Sequence, residues 1–235
     1  MKTIGILGGL GPQATMDFEA RLHEAAQRLI PPHGNSHYPP LIVYYHRRPP
    51  FIMQDLRTPA LPFRADPDLL QAAQWLGPKV DFLVISANGP HLVQTEIERA
   101  AGCQVLSLIE VTLAEVRRRG WQKVGVLGFG EPKVVVYTEP LSRLNLAYET
   151  IDMSLQAPMN EAVVSLWEGR QNADSTRAVR DAVADLRRRG VDGIILGCTE
   201  LPLLLQEDAV EPDLINPAEL LAEAAVRYAV EGQIR

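Results

Sequence analysis

Cysteine is scarce in this sequence: there are two in 235 residues, Cys103 and Cys198. Two thiols make neither a disulfide framework nor a metal site, and the chain reads as cytoplasmic, with reduced thiols. Long apolar runs are missing as well, since none approaches the ~18 residues that a membrane span needs. The opening residues, Met1 to Leu7, run straight into a strand-like stretch and lack the small-residue cleavage site of a secretory signal. Positive charge is not in excess either. The net charge is −6, whereas a nucleic-acid partner would call for a concentrated basic face. Two arginine triplets, Arg117 to Arg119 and Arg187 to Arg189, each stand just before a glycine, Gly120 or Gly190. Basic residues in a last turn followed by glycine mark helix ends, not a binding patch.

What is present suffices for a core. Hydrophobic residues make up 46% of the chain, and the length suits one large domain or two lobes. Strand and helix signals alternate, which argues for parallel sheets covered by helices. Ile4 to Leu7 reads as a strand that stops at Gly8-Gly9-Leu10-Gly11-Pro12, and a helix follows with Pro12 in its first turn. Leu41 to Tyr45, Asp81 to Ile85 and Val105 to Ile109 read as further strands. Thr112 with Glu115 reads as a capping box opening a helix, and Pro217 to Val230 as the last helix. The stretch from Arg47 to Pro67 reads as a long loop or lid.

The second half repeats the first. Lys123-Val124-Gly125-Val126-Leu127-Gly128 echoes Lys2 to Gly8 at an offset of 120 (125 − 5). Val80 to Asn88 lines up with Val191 to Thr199 at an offset of 111 (198 − 87). Leu106 and Leu214 each sit in a strand that feeds a helix. Together these predict two similar α/β lobes, residues 1–104 with 213–235 and residues 105–212, each a parallel sheet flanked by helices. They would be related by a pseudo-two-fold with the site in the cleft between them. Ligands of open parallel sheets bind beyond the C-terminal strand ends, here Gly8–Gly11, Ser86–His91, Gly128–Pro132 and Gly197–Glu200. On that plan positions 87 and 198 face one cleft, and one of them is a cysteine.

Cys198, directly after the apolar run Gly193 to Leu196, is the first candidate for chemistry. A thiol at a strand end, near backbone amides and a helix start, would have its thiolate favoured and a pKa below the free value of ~8.5. Free cysteine is also among the most buried and inert residue types. Cys103, in a turn with no polar neighbours of interest, reads as structural. His33, His37 and His46 lie among prolines and glycines with no zinc spacing and read as solvent-exposed. Gly9-x-Gly11-x-x-Ala14 fits a dinucleotide fingerprint, but Pro12 lies inside it and the second strand ends in Tyr45-His46, without the ribose-binding acid.

The pattern Ile4-Gly5-Ile6-Leu7-Gly8-Gly9-Leu10-Gly11-Pro12 resembles the opening of the aspartate/glutamate racemase family. Asn88 to His91 resembles part of its first cysteine element, and Gly197-Cys198-Thr199-Glu200 its second. The resemblance runs in order along nearly the whole chain. It implies a two-lobed, cofactor-independent isomerase, commonly a homodimer, that racemises a small carboxylic amino acid of aspartate or glutamate type. Such an enzyme needs an acid and a base on opposite faces of the α-carbon. The implied catalytic group is Cys198, and the implied substrate contacts are Gly8, Gly9, Leu10, Gly11, Asn88, His91, Thr199, Glu200 and an arginine such as Arg48; Arg47, Arg57 and Arg170 are further stand-ins. No metal is implied. The sequence departs from the family at the first thiol, where Ala87 stands. It departs again in the loop Gly128-Phe129-Gly130-Glu131-Pro132, which lacks the family's threonine and adds an acid. Ala87 leaves open a one-thiol isomerase or decarboxylase of a small diacid, and a small-acid binding protein without catalysis. His91 reads either as a helix cap or as a replacement acid acting through water.

Overall fold

The structure, a computed structural model, describes residues 1–55, 58–130 and 134–232. Expectations placed on Arg57, Glu131 and Pro132 lie outside the described residues. The chain divides into two compact units, Met1–Leu108 with Ala218–Arg235, and Ile109–Pro217.

The first unit contains β1 (Ile4–Gly8), α1 (Pro12–Leu29), β2 (Leu41–Tyr45), α2 (Pro67–Leu76), β3 (Phe82–Ile85), α3 (Gln94–Ala101) and β4 (Val105–Leu106). Its four parallel strands are ordered β2-β1-β3-β4. Every residue of β1 is buried, as suits a central strand covered on both faces. Pro12 opens α1 where a missing N–H costs nothing. Phe18, Leu22, Ala25 and Ala26 then recur at helical spacing on its buried side.

The second unit contains α4 (Leu108–Arg118), β5 (Lys123–Leu127), α5 (Val135–Arg143), β6 (Ala147–Glu149), α6 (Met153–Trp167), α7 (Ala173–Arg188), β7 (Gly193–Leu196), α8 (Leu201–Leu205) and β8 (Leu214–Ile215). Its sheet repeats the first, in the order β6-β5-β7-β8 and all parallel. α9 (Pro217–Glu231) returns to the first unit. There Lys2 N–H donates to Ala229 O at 2.8 Å, and Tyr228 packs edge-on against Phe82 at 4.7 Å. No helix among the described residues is long and apolar enough to cross a membrane.

Both arginine triplets end helices as expected, before Gly120 and Gly190, which take φ of +71° and +69°. Arg118 and Arg119 pair with Glu115, and Arg187 pairs with Asp213. Three local readings change. The strand expected over Val105 to Ile109 stops at Leu106, because Leu108, Thr112 and Val116 fall on one fully buried helical face. Thr112 therefore lies inside α4, where it bonds Tyr137, and does not cap it. The chain crosses between units after Leu108 and after Pro217, a few residues beyond the expected 104 and 212, because β4 and β8 pair with β3 and β7. The stretch after Arg47 doubles back on itself, with bridges Phe51↔Ala65 and Met53↔Pro59 and with Phe51 in the first unit's core.

Candidate active site

The second unit carries the candidate thiol just past the end of β7. Leu196 pairs with Leu127 of β5. At the next position, Gly197, a Cβ would come within 2.7 Å of Leu127 O and 3.1 Å of the Tyr137 ring. Only glycine lets the chain turn so close to β5. Cys198 follows, 7% exposed, and its S–H donates to Glu200 Oε2 at 3.0 Å. The same oxygen accepts the Thr199 hydroxyl at 3.1 Å, and Oε1 accepts the Trp167 indole N–H at 2.8 Å. Glu200 is itself buried, so three donors in protein surroundings replace its water. The backbone N–H groups of Glu200 and Phe129 point at the sulfur.

These amides favour a thiolate, but they lose. Burial, followed by the charge of Glu200, pushes the Cys198 thiol well above its ordinary range. The expected low thiol pKa is therefore corrected: the sequence has the cysteine at a strand end but does not show a carboxylate turned onto its sulfur. Thr199 and Glu200, expected to touch substrate, spend their polar groups on each other and on Cys198.

The end of β5 is braced from α6. Gln156 Nε2 donates to Gly128 O at 2.8 Å, and Asn160 accepts from Gly130 N–H at 3.0 Å while donating to Gly130 O at 2.8 Å. Between the two glycines, Phe129 sets its ring against Trp167, with centroids 4.8 Å apart.

In the first unit the corresponding strand ends are also closely packed. A Cβ at Gly8 would lie 2.5 Å from Thr15, and one at Gly9, where φ is +80°, would lie 2.6 Å from His46 N. The Thr15 hydroxyl accepts from Gly9 N–H at 2.9 Å, donates to Gly11 O at 3.1 Å, and lies 3.0 Å from Ser86 Oγ. The glycine loop is thus held by its own helix, and the Gly9 amide is committed to Thr15. Leu10 is half-buried. Ala87 stands two residues past β3, as Cys198 stands two past β7. The buried Asn88 opens the short turn Gly89–Val93.

The pattern of the Asp/Glu/Hydantoin racemase family matches residues 7–225. The chain belongs to that family. This racemase-family chain is 25% identical over 225 residues to the broad specificity amino-acid racemase RacX of Bacillus subtilis, covering 95% of this chain and 96% of the relative. A putative Asp/Glu racemase from Yersinia pestis has the same fold, with a TM-score of 0.74 at 23% identity, covering 98% of this chain and 100% of the other. So has an aspartate racemase homologue from Pyrococcus horikoshii, with a TM-score of 0.74 at 24% identity and coverage of 97% and 99%.

Within this family member several expected contacts find other partners. His91 is buried, with Nδ1 3.0 Å from Ala87 O and 3.1 Å from Asn88 O, while Nε2 accepts the Leu108 N–H at 3.1 Å. The ring thus ties the end of β3 to the Leu108 amide within the first unit, and both nitrogens have protein partners. Burial holds it neutral, with a pKa pushed down to about 4. Arg48 is exposed and paired with Asp68 on α2, and Arg170 is paired with Glu168. His46, expected in solvent, is only 4% exposed. Its amide donates to Gly8 O at 2.8 Å, and its Nε2 is buried without a partner among the described residues. Ser86 lay at an expected strand end, and sequence reasoning missed Thr15, Gln156, Asn160 and Trp167. Only Trp167 carried a signal, since a tryptophan at a helix end needs an acceptor for its N–H.

Proposed function

We propose that this family member is a cofactor-independent isomerase that moves a proton at the α-carbon of a small amino acid, with Cys198 as the only thiol at the reacting carbon. The observation that carries this reading is the hydrogen bond from Cys198 to Glu200. The Cys198 S–H points at the Glu200 carboxylate, which is placed to receive its proton. As sulfur takes the α-proton, its own proton passes to Glu200, and the pair goes from one negative charge to none. Returning the proton reverses both transfers. The charge lost by the pair appears on the substrate carbanion, so no step creates two adjacent anions.

That accounting also separates this reading from a decarboxylase. Protonating a carbanion left by loss of CO₂ would take the resting pair to thiolate plus carboxylate about 3 Å apart, which like-charge repulsion opposes. Proton removal comes first in the chemistry this pair favours. Ala87 can neither give nor take a proton, so Cys198 serves one face only; return of its proton gives exchange with retention, and inversion takes place only when the carbanion is protonated by water on the other face. The His91 ring positions the Ala87 and Asn88 carbonyls from behind. A homodimer is the assembly the family resemblance implies, and light scattering on the eluted protein checks it.

The test is α-proton exchange in heavy water, with each enantiomer of a panel of amino and dicarboxylic acids. One enantiomer should exchange far faster than its mirror image, and Cys198→Ala should abolish exchange while the melting temperature is kept. Equal exchange of both enantiomers would sink the one-thiol mechanism. Binding without any exchange would favour a small-acid binding protein.

A further inference from the structure

The thiol–carboxylate pair does not account for the aromatic rim beside it. Phe129 stands two residues past β5, and its backbone N–H points at the Cys198 sulfur. Phe129 is 43% exposed. The ring is not loosely placed, because the glycines on either side are clamped by Gln156 and Asn160. Those two side chains also bond each other at 2.8 Å. The ring meets Trp167 edge-on at an interplanar angle of 64°, and the indole N–H of Trp167 is the donor that holds Glu200. The two rings therefore form one fixed apolar wall, joined at one end to the sulfur through an amide and at the other to the carboxylate through an indole.

A clamped, half-exposed phenylalanine beside a buried thiol leaves apolar area in water that a polar residue would not. Its position, beyond the C-terminal end of a parallel strand, is where ligands of such sheets bind. Charge points the same way. Glu200 lies next to the wall and disfavours a second anionic group, and Arg170, the arginine expected in this unit, is held by Glu168 and Glu161.

We propose that the Phe129–Trp167 wall is the side-chain subsite, and that it takes the apolar side chain of a monocarboxylic amino acid, aliphatic, thioether or aromatic, in place of the second carboxylate of aspartate or glutamate. The proposal deepens the one-thiol reading and rests on it for the position of the α-carbon. The two can fail separately.

The experiment measures α-proton exchange of methionine, leucine, phenylalanine, aspartate and glutamate by wild type, Phe129→Thr and Phe129→Leu, with calorimetric binding of the same five acids. Wild type should favour the apolar three by about tenfold or more in kcat/KM. Phe129→Thr should lower their kcat/KM about ten- to a hundredfold, mainly through KM, the range that lost apolar pocket contacts produce. Phe129→Leu, which keeps an apolar surface and guards against a general folding defect, should retain most of the preference. Equal or faster exchange of aspartate or glutamate overturns the proposal, and so does a Phe129→Thr variant that handles apolar substrates like wild type. If no acid exchanges, the one-thiol chemistry falls. The subsite then stands only if wild type binds the apolar acids and Phe129→Thr weakens that binding; absent or unchanged binding overturns it.

Discussion

His91 makes the stability of the first unit depend on pH by an amount that can be worked out. Its pKa falls from 6.5 to about 4 on folding because burial disfavours the charged ring. A depressed histidine pKa means that the unfolded chain binds the proton more readily than the folded one. The contribution is therefore complete above pH 6.5 and is lost as the pH falls towards 4. At 1.36 kcal/mol per pKa unit, the loss is about 2 kcal/mol between pH 7 and pH 5 and about 3 kcal/mol by pH 4. The structure identifies what breaks: a protonated Nε2 can no longer accept the Leu108 N–H. Hydrogen exchange at the Leu108 amide reads this directly once the intrinsic exchange rate at each pH is removed. Its opening free energy should fall with that slope in wild type. In His91→Gln, which costs about 1–3 kcal/mol at pH 7, the slope should be nearly flat between pH 7 and 5. Parallel slopes for the two proteins would refute the argument, because carboxylates elsewhere would then carry the whole dependence.

Other outcomes follow from the same geometry. Cys198, buried and facing Glu200, should be alkylated slowly by iodoacetamide at pH 7, and Glu200→Gln should speed its labelling and move the pH midpoint down; an unchanged rate would remove Glu200 from control of the thiol. Ala87→Cys should raise two-sided racemisation by ~10²–10⁴-fold, the usual contribution of a positioned acid–base group, as read by polarimetry. No gain in a folded variant that still exchanges one enantiomer would mean that position 87 does not face the α-carbon. Gly9→Ala should destabilise the protein by at least about 1–3 kcal/mol from its left-handed backbone alone, with the contact on His46 adding to that. A melting temperature equal to wild type would show that the loop is free to shift.

The repeat was legible because buried parallel strands leave a strong imprint and the two copies share a register. Ile4 pairs with Phe82 as Val124 pairs with Gly193, which is the pairing that offsets of 120 and 111 demand (124 − 4 and 193 − 82). The place of Cys198 at a strand end was legible for the same reason. Its electrostatics were not. Glu200 sits two positions along, and nothing in Gly-Cys-Thr-Glu says whether its carboxylate turns out to a ligand or back onto the sulfur. The deciding partner, Trp167, is 33 residues away (200 − 167) and arrives by packing of α6. His46 was misread because a histidine between a strand and Arg47-Arg48-Pro49-Pro50 looks like surface. The hydrogen bond from its amide to Gly8 holds its backbone against the glycine loop instead.

The two units differ in how they lie along the chain, and this sets an order of assembly during synthesis. Residues 109–217 form one uninterrupted stretch containing all of the second sheet, so the ribosome releases every strand of that unit before α9 begins. The first unit waits. Its opening strand leaves the ribosome first, yet the bond from Lys2 to Ala229 spans 227 positions (229 − 2) and is available only once α9 has been made. Until then the surface that Leu221, Ala222, Ala225 and Val226 will cover, all nearly inaccessible in the folded protein, stands open to water and to other chains. Domains made in this way fold as units in order of synthesis. The unit holding the thiol is therefore the one complete first, and the unit holding the glycine loop is closed last by the helix furthest from it in sequence.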